Sequence, residues 1–329
     1  MKYLIIPERS KAKLLPFYFA VEEYVAHTYT DDDYYMVWSV EPTVMLGRNQ
    51  LIHNEVDVDY CKANNIHIFR RKSGGGCIYA DRGCLQFSYI SNDSNVNEAF
   101  YTHMKNVALV LQSLNVDAQL SGRNDILVDG QKVAGCAFYK LKGRSVLHNS
   151  LLYNTQLEHL ASALTPAKEK LQSKGVESVR QRVKNVGDYL DMPISDFIDY
   201  VQHFTCGDEV RELTSEDMKQ IEIIEAELAS DEFVYGQNPK YTEKRTKRFK
   251  DVGTIDAVIE LKNGVIKKIN LMGDYFLIGD LDRDLLDLLK NVTFTREAVE
   301  EKLANINLGT VIRNFTLPQF LRLLFGRTP

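Results

Sequence analysis

The sequence has little of three features that mark common classes of protein. Acidic residues outnumber basic ones, 45 against 40, so the net charge of −5 lacks the cationic excess typical of nucleic-acid-binding proteins. No stretch approaches the roughly 20 consecutive apolar residues that a membrane-spanning helix needs. The segment before Ser10 is charged, and its apolar run is too short for a signal peptide. We therefore expect a cytoplasmic protein without nucleic-acid or membrane partners.

Cysteine is scarce and irregularly spaced. The five cysteines are odd in number and form no C-x-x-C pair, which disfavours both a zinc site and a disulfide framework. They are Cys61, Cys77, Cys84, Cys136 and Cys206. This usage is typical of a protein from a reducing compartment.

Length and composition predict a large domain followed by a small one. Apolar residues make up 44% of the 329 residues and charged residues 26%, which is ordinary for a globular protein. Charge shifts at residues 244–252, which contain five lysines and arginines and are predicted to be a linker. We assign residues 1–243 to the large domain. Residues 253–329 combine helix patterns with two strand patterns joined by Lys262-Asn263-Gly264, and are predicted to be a small α+β domain.

A basic, glycine-rich stretch lies in the first third of the chain. Arg70, Arg71 and Lys72 precede Ser73 and three consecutive glycines, and strand-like runs flank the stretch. Glycines here predict a close approach to the backbone, and their amides together with the cations can bind an anion. A glycine-rich hairpin with a basic rim is the alternative. The stretch is not a nucleotide P-loop, because no Gly-Lys-Ser/Thr follows at the required spacing.

A second informative stretch runs from Ser121 to Ala137. Asp129-Gly130 between two strand-like runs predicts a tight hairpin. Lys132 follows this turn beside several small residues, which leave room for a ligand against the strand, although a solvated hairpin lysine fits the same pattern. Asn124-Asp125 is either simple turn chemistry or a hydrogen-bonding and metal-positioning pair.

Two further features admit both a structural and a functional interpretation. Trp38, the only tryptophan, is either a buried aromatic or a wall for an apolar ligand. The segment from Lys168 to Lys184 contains six lysines and arginines, interrupted by Gly175 and several valines. It is either a solvated face or a surface loop that docks onto an anionic group.

Taken in order, these stretches resemble the lipoate-protein ligase family. The resemblance covers most of the large domain, and the small C-terminal domain is similar to the family's accessory domain. It implies an α+β fold: a mixed β-sheet catalytic domain of the biotin/lipoate ligase type packed with helices, plus a small α+β accessory domain. The resembling motifs are Gly47–Gln50, Arg70–Gly76 with Tyr79 and Asp81, Gly122–Ile126, Lys132–Ala137, His148–Asn154, and Ser173–Gly175 with Ser178, Val179, Arg182 and Val183.

The resemblance implies a reaction in two steps. With ATP and Mg²⁺, lipoate would become lipoyl-AMP, and the lipoyl group would then pass to a lysine of a lipoyl carrier domain. The implied carriers are the acyltransferase subunits of 2-oxoacid dehydrogenases and the H protein of glycine cleavage. The protein is expected to act as a monomer.

The resemblance also implies roles for individual residues. Lys132 would be the catalytic residue, Asp125 would bind Mg²⁺, and the loop from Lys174 to Arg182 would close over the adenylate. Lipoate would contact Trp38, Arg71, Gly76, Lys132 and His148. ATP and lipoyl-AMP would contact Arg71, Ser73, Gly74, Gly75, Gly76, Cys77, Ile78, Tyr79, Asn124, Asp125, Lys132, Lys174 and Arg182.

The sequence departs from the family pattern on the side of the acyl group. Ala80 stands where many members have histidine, and His148-Asn149-Ser150 replaces a His-Gly-Thr type of segment. The preference between lipoate and octanoate, and the choice of acceptor, therefore stay open.

Two alternative functions also stay open at this point. Cys77, Cys84 and Cys136 cluster around the implied pocket, where burial as small apolar residues is the favoured role. They are also consistent with a lipoyl or octanoyl transferase that forms a cysteine thioester and needs no ATP. The accessory domain and the loop around Lys174 favour the ligase over this alternative. The other is a lipoate- or nucleotide-binding protein without turnover, which retention of Lys132, Arg71 and Asp125 disfavours. Biotin ligation is disfavoured because the glycine motif differs from the Gly-Arg-Gly-Arg type.

Overall fold

The computed structural model describes residues 1–7, 13–50, 52–121, 124–164, 182–235 and 243–326. The chain divides into two compact units. The first unit comprises Met1–Leu46, Ile52–Arg71 and Cys77–Tyr235, and the second comprises Gly47–Leu51, Lys72–Gly76 and Gly236–Pro329. Two short segments from the N-terminal third, one of which contains the consecutive glycines, therefore group with the C-terminal part of the chain.

An eight-stranded sheet forms the centre of the first unit. Its strands are β1 (Lys2–Ile5), β2 (Tyr34–Trp38), β6 (Cys84–Ser91), β7 (Gln119–Ser121), β8 (Asp125–Val128), β9 (Gln131–Leu141), β10 (Arg144–Leu152) and β11 (Val210–Glu212). They follow the order β11-β1-β2-β6-β10-β9-β8-β7. β1 runs parallel to β2 and β11, and all other neighbours are antiparallel, so the sheet is mixed.

A smaller sheet of the first unit carries the residues on either side of the glycines. It contains β3 (Thr43–Leu46), β4 (His67–Arg70) and β5 (Ile78–Ala80) in the order β4-β3-β5. β3 runs parallel to β4 and antiparallel to β5. Arg71 and Cys77 therefore stand directly after β4 and directly before β5.

Eight helices are described in the first unit. They are α1 (Leu15–Thr28), α2 (Ile52–Glu55), α3 (Val58–Ala63), α4 (Val96–Ser113), α5 (Leu157–Ala163), α6 (Ile194–Cys206), α7 (Ser215–Leu228) and α8 (Asp231–Tyr235). Pro16 stands in the first turn of α1, where its missing N–H costs no hydrogen bond. Phe17 and Val21 of this helix belong to one buried cluster with Met36 and Val146 of the large sheet. None of the described helices is both long enough and apolar enough to cross a membrane.

The described part of the second unit combines a three-stranded antiparallel sheet with two α-helices and three shorter helical turns. The strands β12 (Glu243–Phe249), β13 (Gly253–Lys262) and β14 (Val265–Gly273) lie in that order, and the helices are α9 (Arg296–Leu303) and α10 (Leu317–Phe325). The hydroxyls of Thr295 and Thr316 cap the two helices. Ile255, Tyr275 and Phe320 are fully buried in the core of this unit.

The expected α+β fold class is confirmed, with a mixed sheet packed with helices and a separate small α+β unit. The segment 244–252, which the charge pattern assigned to a linker, contains most of β12. Only Phe249 gives this strand a buried apolar side chain, while Arg245 and Lys247 are half-buried, so the alternation of apolar residues that marks a strand is missing.

Candidate active site

The predicted hairpin between Asp129 and Gly130 is present. These residues have φ of 51° and 74°, the left-handed values that a two-residue hairpin turn needs, and they join β8 to β9. Lys132 is the second residue of β9. The local sequence therefore fixes this lysine at the turn end of the eight-stranded sheet.

A β-bulge directly follows Lys132. Leu127 pairs with Lys132, whereas the preceding Ile126 pairs with Ala134, so Val133 is an extra residue on β9. A bulge of this kind bends its strand and re-aims the neighbouring side chains, and it is common next to active sites. The bulge therefore helps to set the direction of the Lys132 side chain.

The ammonium of Lys132 pairs with Asp125 above a glycine. Nζ lies 2.7 Å from Oδ1 of Asp125, and 36% and 37% of the two side chains are exposed. Asp125 and Gly135 are register partners on β8 and β9. A Cβ at Gly135 would lie 2.7 Å from Nζ and 2.9 Å from Cε of Lys132. The missing side chain at Gly135 therefore provides the space that the ammonium occupies.

This pair can exchange its carboxylate for another anion. Ion pairs at the surface contribute only about 0–1 kcal/mol to stability, because water and salt screen them. A phosphate or carboxylate ligand can therefore replace Asp125 beside Nζ at small cost. The ammonium then supplies three N–H donors and a positive charge to that ligand.

The end of the cationic segment Lys168–Lys184 forms backbone hydrogen bonds with Lys132. The N–H of Lys132 donates to the carbonyl of Arg182 at 2.8 Å, and the N–H of Lys184 donates to the carbonyl of Lys132 at 3.0 Å. The Arg182 side chain is exposed. Lys174 and the other residues 165–181 lie outside the described residues. The described end of the loop is thus held at the lysine.

Asn124 holds the start of β8 in register. Its Nδ2 donates to the carbonyl of Cys136 at 2.9 Å, and its own carbonyl accepts the N–H of Cys136 at 3.0 Å. This double contact cross-links β8 and β9 one residue away from Asp125. The amide nitrogen of Asn124 therefore helps to hold Asp125 opposite Gly135.

Trp38 and His148 are connected by a buried polar network. Nε1 of Trp38 donates to Oγ of Ser88 at 2.8 Å, and Oγ of Ser88 donates to Oε1 of Glu22 at 2.6 Å. Nδ1 of His148 lies 3.2 Å from both carboxylate oxygens of Glu22, and all four residues are buried. Sequence reasoning missed Glu22 and Ser88; the available signal was an acidic residue within the mostly apolar helix α1.

Aromatic rings surround the tryptophan end of this network. Phe19 lies edge-on to Trp38 at 5.8 Å and 5.2 Å from the His148 ring, and Tyr18 stacks on Trp38 at 4.4 Å. A cleft of about 170 Å³ opens beside Trp38. Trp38 is therefore both a buried aromatic and part of an apolar wall. The cleft is also lined by Leu4, Ile6, Phe17, Tyr18 and Met36.

Arg71, Ile78 and Tyr79 are placed by the small sheet. Arg71 is buried, and its Nη1 donates to the carbonyl of Met45 at 3.0 Å. Burial lowers the pKa of Arg71 to about 10, so the guanidinium keeps its charge at neutral pH. Ile78 and Tyr79 lie in β5, and burial raises the pKa of the Tyr79 hydroxyl.

The cysteines near the site are poor nucleophiles. Burial raises the pKa of the Cys84 thiol to about 12 and also raises the pKa of Cys77. Cys136 is buried as well. Because the thiolate is the reactive form, Cys77 and Cys84 stay protonated and unreactive at neutral pH. The geometry therefore gives no support to the thioester alternative.

The glycine loop, which comprises residues Ser73 to Gly76, belongs to the second unit. It packs there against the backbone of Tyr275. The N–H of Gly75 donates to the Tyr275 carbonyl at 2.9 Å, and a Cβ at Gly74 would lie 2.2 Å from the same oxygen. The close backbone approach that the glycines predict is thus present. At Gly74 and Gly75, the group that approaches the glycines is the backbone carbonyl of Tyr275.

The remaining residues of the loop are placed differently. The carbonyl of Ser73 accepts the N–H of Arg48 at 2.9 Å, and a Cβ at Gly47 would lie 2.1 Å from the Gly75 carbonyl. At Gly76 the nearest atom to an added Cβ is 3.9 Å away. Among the described atoms, a side chain at Gly76 therefore has space that a side chain at Gly74 lacks.

Asp125 is the carboxylate that the sequence analysis predicts to bind Mg²⁺. No group of three or more His, Cys, Asp or Glu residues that could hold a metal occurs in the described ranges. Mg²⁺ commonly binds through one or two carboxylates together with substrate phosphates and water. The donor set therefore fits a metal ion that arrives with a nucleotide.

The predicted site residues fall into four groups in the structure. Three groups lie in the first unit: the lysine hairpin, the polar network and the small sheet. The loop of Ser73, Gly74, Gly75 and Gly76 lies in the second unit. The hairpin group contains Asn124, Asp125, Lys132 and Arg182, the network contains Trp38 and His148, and the small sheet places Arg71, Cys77, Ile78 and Tyr79.

Comparison with known proteins identifies two family domains in the chain. Residues 16–205 match the lipoyl protein ligase A/B catalytic domain, and residues 238–324 match the bacterial lipoate protein ligase C-terminus. The lipoate-protein ligase LplJ of Bacillus subtilis is 34% identical over 93% of this chain and 95% of its own length. Lipoate–protein ligase 1 of Staphylococcus aureus is 35% identical with the same coverage.

Solved structures agree with this assignment. LipL1 of P. falciparum in complex with lipoate has a TM-score of 0.75 at 19% identity, covers 97% of this chain and 96% of its own, and supports the fold. A lipoate-protein ligase A bound with ATP has a TM-score of 0.62 at 25% identity and covers 71% of this chain and 98% of its own. The two family domains and the relatives together show that this chain is a ligase of the lipoate-protein ligase family.

Proposed function

We propose that the protein uses ATP to attach lipoate to a lysine of a lipoyl carrier domain. In the first step, a carboxylate oxygen of lipoate attacks the α-phosphorus of ATP, which gives lipoyl-AMP and releases pyrophosphate. In the second step, the ε-amine of the acceptor lysine attacks the lipoyl carbonyl, AMP leaves, and the amine loses a proton. The observation that carries this proposal is the ammonium of Lys132, held over Gly135 beside an exchangeable carboxylate.

Lys132 acts through its charge in both steps. Negative charge develops on the α-phosphate oxygens in the first step and on the carbonyl oxygen in the second, and a positioned ammonium stabilises both. Two unit charges about 4 Å apart attract by roughly 4 kcal/mol at an effective dielectric of about 20. Only the part of this energy that is greater in the transition state than in the ground state accelerates the reaction.

Asp125 is the residue that would bind Mg²⁺ in this reaction. When the ion is bound with ATP, it neutralises phosphate charge. An Asp125 carboxylate that held the ion would leave the Lys132 ammonium available to the α-phosphate. The carboxylate therefore has two alternative partners, which are Lys132 and the metal.

The acyl chain of lipoate is proposed to lie against Trp38. The rings of Phe19 and Tyr18 provide an apolar surface next to it, and the network through Ser88 and Glu22 fixes the orientation of the indole and of His148. An apolar wall with a few fixed polar groups is the usual composition of a small-molecule site. The relative from P. falciparum, whose structure contains lipoate, has the same fold.

Closure of the loop from Lys174 to Arg182 is proposed to protect the adenylate from water. The proposal is supported by the described end of this segment, where Arg182, Val183 and Lys184 pair with the backbone of Lys132. Excluding water prevents hydrolysis of a reactive intermediate.

The acceptors are proposed to be acyltransferase subunits of 2-oxoacid dehydrogenases or the H protein of glycine cleavage. The solved bipartite ligase of Thermoplasma acidophilum is described together with its E2 lipoyl domain; it has a TM-score of 0.65 at 25% identity. A carrier domain of this kind supplies the exposed lysine that the second step requires.

Pyrophosphate release from ATP tests the first step. The purified protein is incubated with ATP, Mg²⁺ and R-lipoate without any acceptor, and the release is expected to depend on lipoate. The mass of an apo lipoyl domain or apo H protein is then followed, and it should increase by one lipoyl group only when ATP is present. Transfer from an acyl-carrier donor without ATP would contradict the proposal, as would failure of both assays with both acceptors.

A further inference from the structure

Charge is unevenly distributed along the chain. Residues 1–235 contain 24 lysines and arginines against 33 aspartates and glutamates, a net charge of −9, whereas residues 236–329 contain 16 against 12, a net charge of +4. Five of these sixteen cations lie between positions 244 and 250, in β12 and directly after it. The second unit therefore carries a local excess of positive charge in a chain whose net charge is −5.

β12 forms the edge of its sheet. β13 pairs with one side of this strand, and no strand in the described part of the chain pairs with the other side. Lys244, Thr246 and Arg248 are exposed on one face. An edge strand presents N–H and C=O groups that another strand can pair with, and cations on an edge also discourage aggregation. Protection of this edge against aggregation, or edge protection, would thus by itself explain the cations of β12.

A cleft of about 510 Å³ between β12 and α10 gathers cations from both elements. Arg245 and Lys247 line this cationic cleft from β12 and Arg322 lines it from α10, and its described lining contains no acidic residue. Phe294 and Phe325, with ring centroids 4.9 Å apart, give it an apolar wall. Edge protection does not explain a cation that a helix contributes to the same cleft.

Among the described residues, two cations of the cleft and a third cation on the opposite face of β12 have no ion-pair partner. Two cations of β12 form ion pairs with acidic residues of the sheet. Lys247, Arg248 and Arg322, in contrast, form no ion pair with any described residue. Unneutralised charge of one sign around a cleft attracts ligands of the opposite sign and accelerates their association.

We propose that β12 and the cationic cleft bind an acidic, strand-forming segment of the protein that receives the lipoyl group. This inference rests on the proposed function, because transfer to a carrier requires a protein partner. The partner's backbone pairs with the free edge of β12, and its carboxylates meet Lys247, Arg248 and Arg322. A peptide is favoured over a nucleic acid because a strand edge offers backbone hydrogen bonds that only another backbone completes.

A charge-reversal variant tests this surface. The variant Lys247→Glu/Arg248→Glu/Arg322→Glu is compared with Lys262→Glu/Lys267→Glu/Lys268→Glu, which reverses three exposed lysines of β13 and β14 in the same sheet. Thermal unfolding establishes that both variants fold. Lipoate-dependent pyrophosphate release is measured with hydroxylamine, which traps the adenylate without a protein acceptor. Transfer is measured separately with an apo E2 lipoyl domain and an apo H protein at low and high salt.

The cleft variant is expected to lose roughly 10- to 100-fold in kcat/KM for the protein acceptor, because both electrostatic attraction and charge pairing are lost. The loss should shrink at high salt, and pyrophosphate release should change by less than about twofold. The control variant should transfer at the wild-type rate.

Three results would overturn the inference: unchanged transfer by the cleft variant, an equal loss in the control variant, or an equal loss of pyrophosphate release. Loss of affinity for duplex DNA or RNA with unchanged transfer would assign the surface to nucleic acid and would also overturn it. Absence of pyrophosphate release and transfer in the wild-type protein would instead contradict the proposed function itself.

Discussion

Glycines make room for different groups in two regions of this molecule. At the lysine hairpin, the missing side chain of Gly135 leaves space for the ammonium of Lys132. At the glycine loop, the missing side chain of Gly74 leaves space for the backbone carbonyl of Tyr275, which also accepts the N–H of Gly75. The same residue type therefore serves a charged, partly exposed side chain in one region and close backbone packing in the other.

The difference shows that glycine alone does not identify a site. A glycine that meets a backbone atom is required by the fold, whereas a glycine that meets the far end of a lysine is required by the position of a charge. The second case points to chemistry, because a lysine side chain has many alternative rotamers and needs no special space for stability. The hairpin is therefore the stronger indication of function.

Replacing Lys132 with alanine should have the largest effect. The change removes the positive charge beside the reacting phosphate and carbonyl, and removal of one such group costs roughly 10²- to 10³-fold in kcat. Lipoate-dependent pyrophosphate release measures the loss. Thermal unfolding should be nearly unchanged, because the side chain is partly exposed. Retention of wild-type turnover would contradict the assignment of the lysine.

Gly135→Ala should reduce the rate by roughly 10- to 100-fold, because a Cβ at this position displaces the ammonium and small misplacements are costly in catalysis. Steady-state pyrophosphate release measures it. The matched control places the same substitution in the Lys132→Ala background, where the new Cβ meets no ammonium and the residual rate should not change further. An equal additional loss in that background would show that Gly135 does not act through Lys132.

Asp125→Asn should reduce kcat/KM for ATP by roughly tenfold and raise the Mg²⁺ concentration needed for half-maximal activity. The change removes the carboxylate as the partner of Lys132 and as the proposed ligand of Mg²⁺. A titration with Mg²⁺ at fixed ATP separates the two roles. If the Mg²⁺ requirement stays the same while the rate falls, Asp125 positions the lysine and binds no metal.

Gly74→Ala should affect stability. Its Cβ would lie 2.2 Å from the Tyr275 carbonyl, so the backbone must shift, at a cost of about 1–3 kcal/mol in the free energy of unfolding. Denaturant unfolding measures this cost. Gly76→Ala is the matched control, since the nearest atom is 3.9 Å from the added Cβ, and it should change stability by no more than about 0.5 kcal/mol. Equal effects of both substitutions would remove the distinction between the glycines.

Local sequence predicted the parts of the site that short-range chemistry determines. Asp129-Gly130 specifies its turn because both residues adopt left-handed φ, and this places Lys132 at the start of a strand. The pattern also indicated small residues beside the lysine. It did not reveal that the lysine itself fills the space at Gly135, because the bulge at Val133 depends on pairing with β8.

Long-range packing determined what the sequence did not predict. The approach of Tyr275 to Gly75 joins positions 200 residues apart, and no local pattern encodes it. Glu22 was missed because the apolar periodicity of α1 hides one buried acid whose partners, Ser88 and His148, come from other strands. The strand at 243–249 was missed because half-buried cations take the place of apolar residues.

The most direct test of the central claim restores only the amine at position 132. Lys132→Cys is expected to be inactive in lipoate-dependent pyrophosphate release, and alkylation with 2-bromoethylamine converts the cysteine to a lysine analogue. The account predicts that the alkylated variant recovers activity while alkylated wild-type protein is unchanged, because the native cysteines are buried or partly buried. Absence of recovery, with mass spectrometry showing modification at position 132, would contradict it.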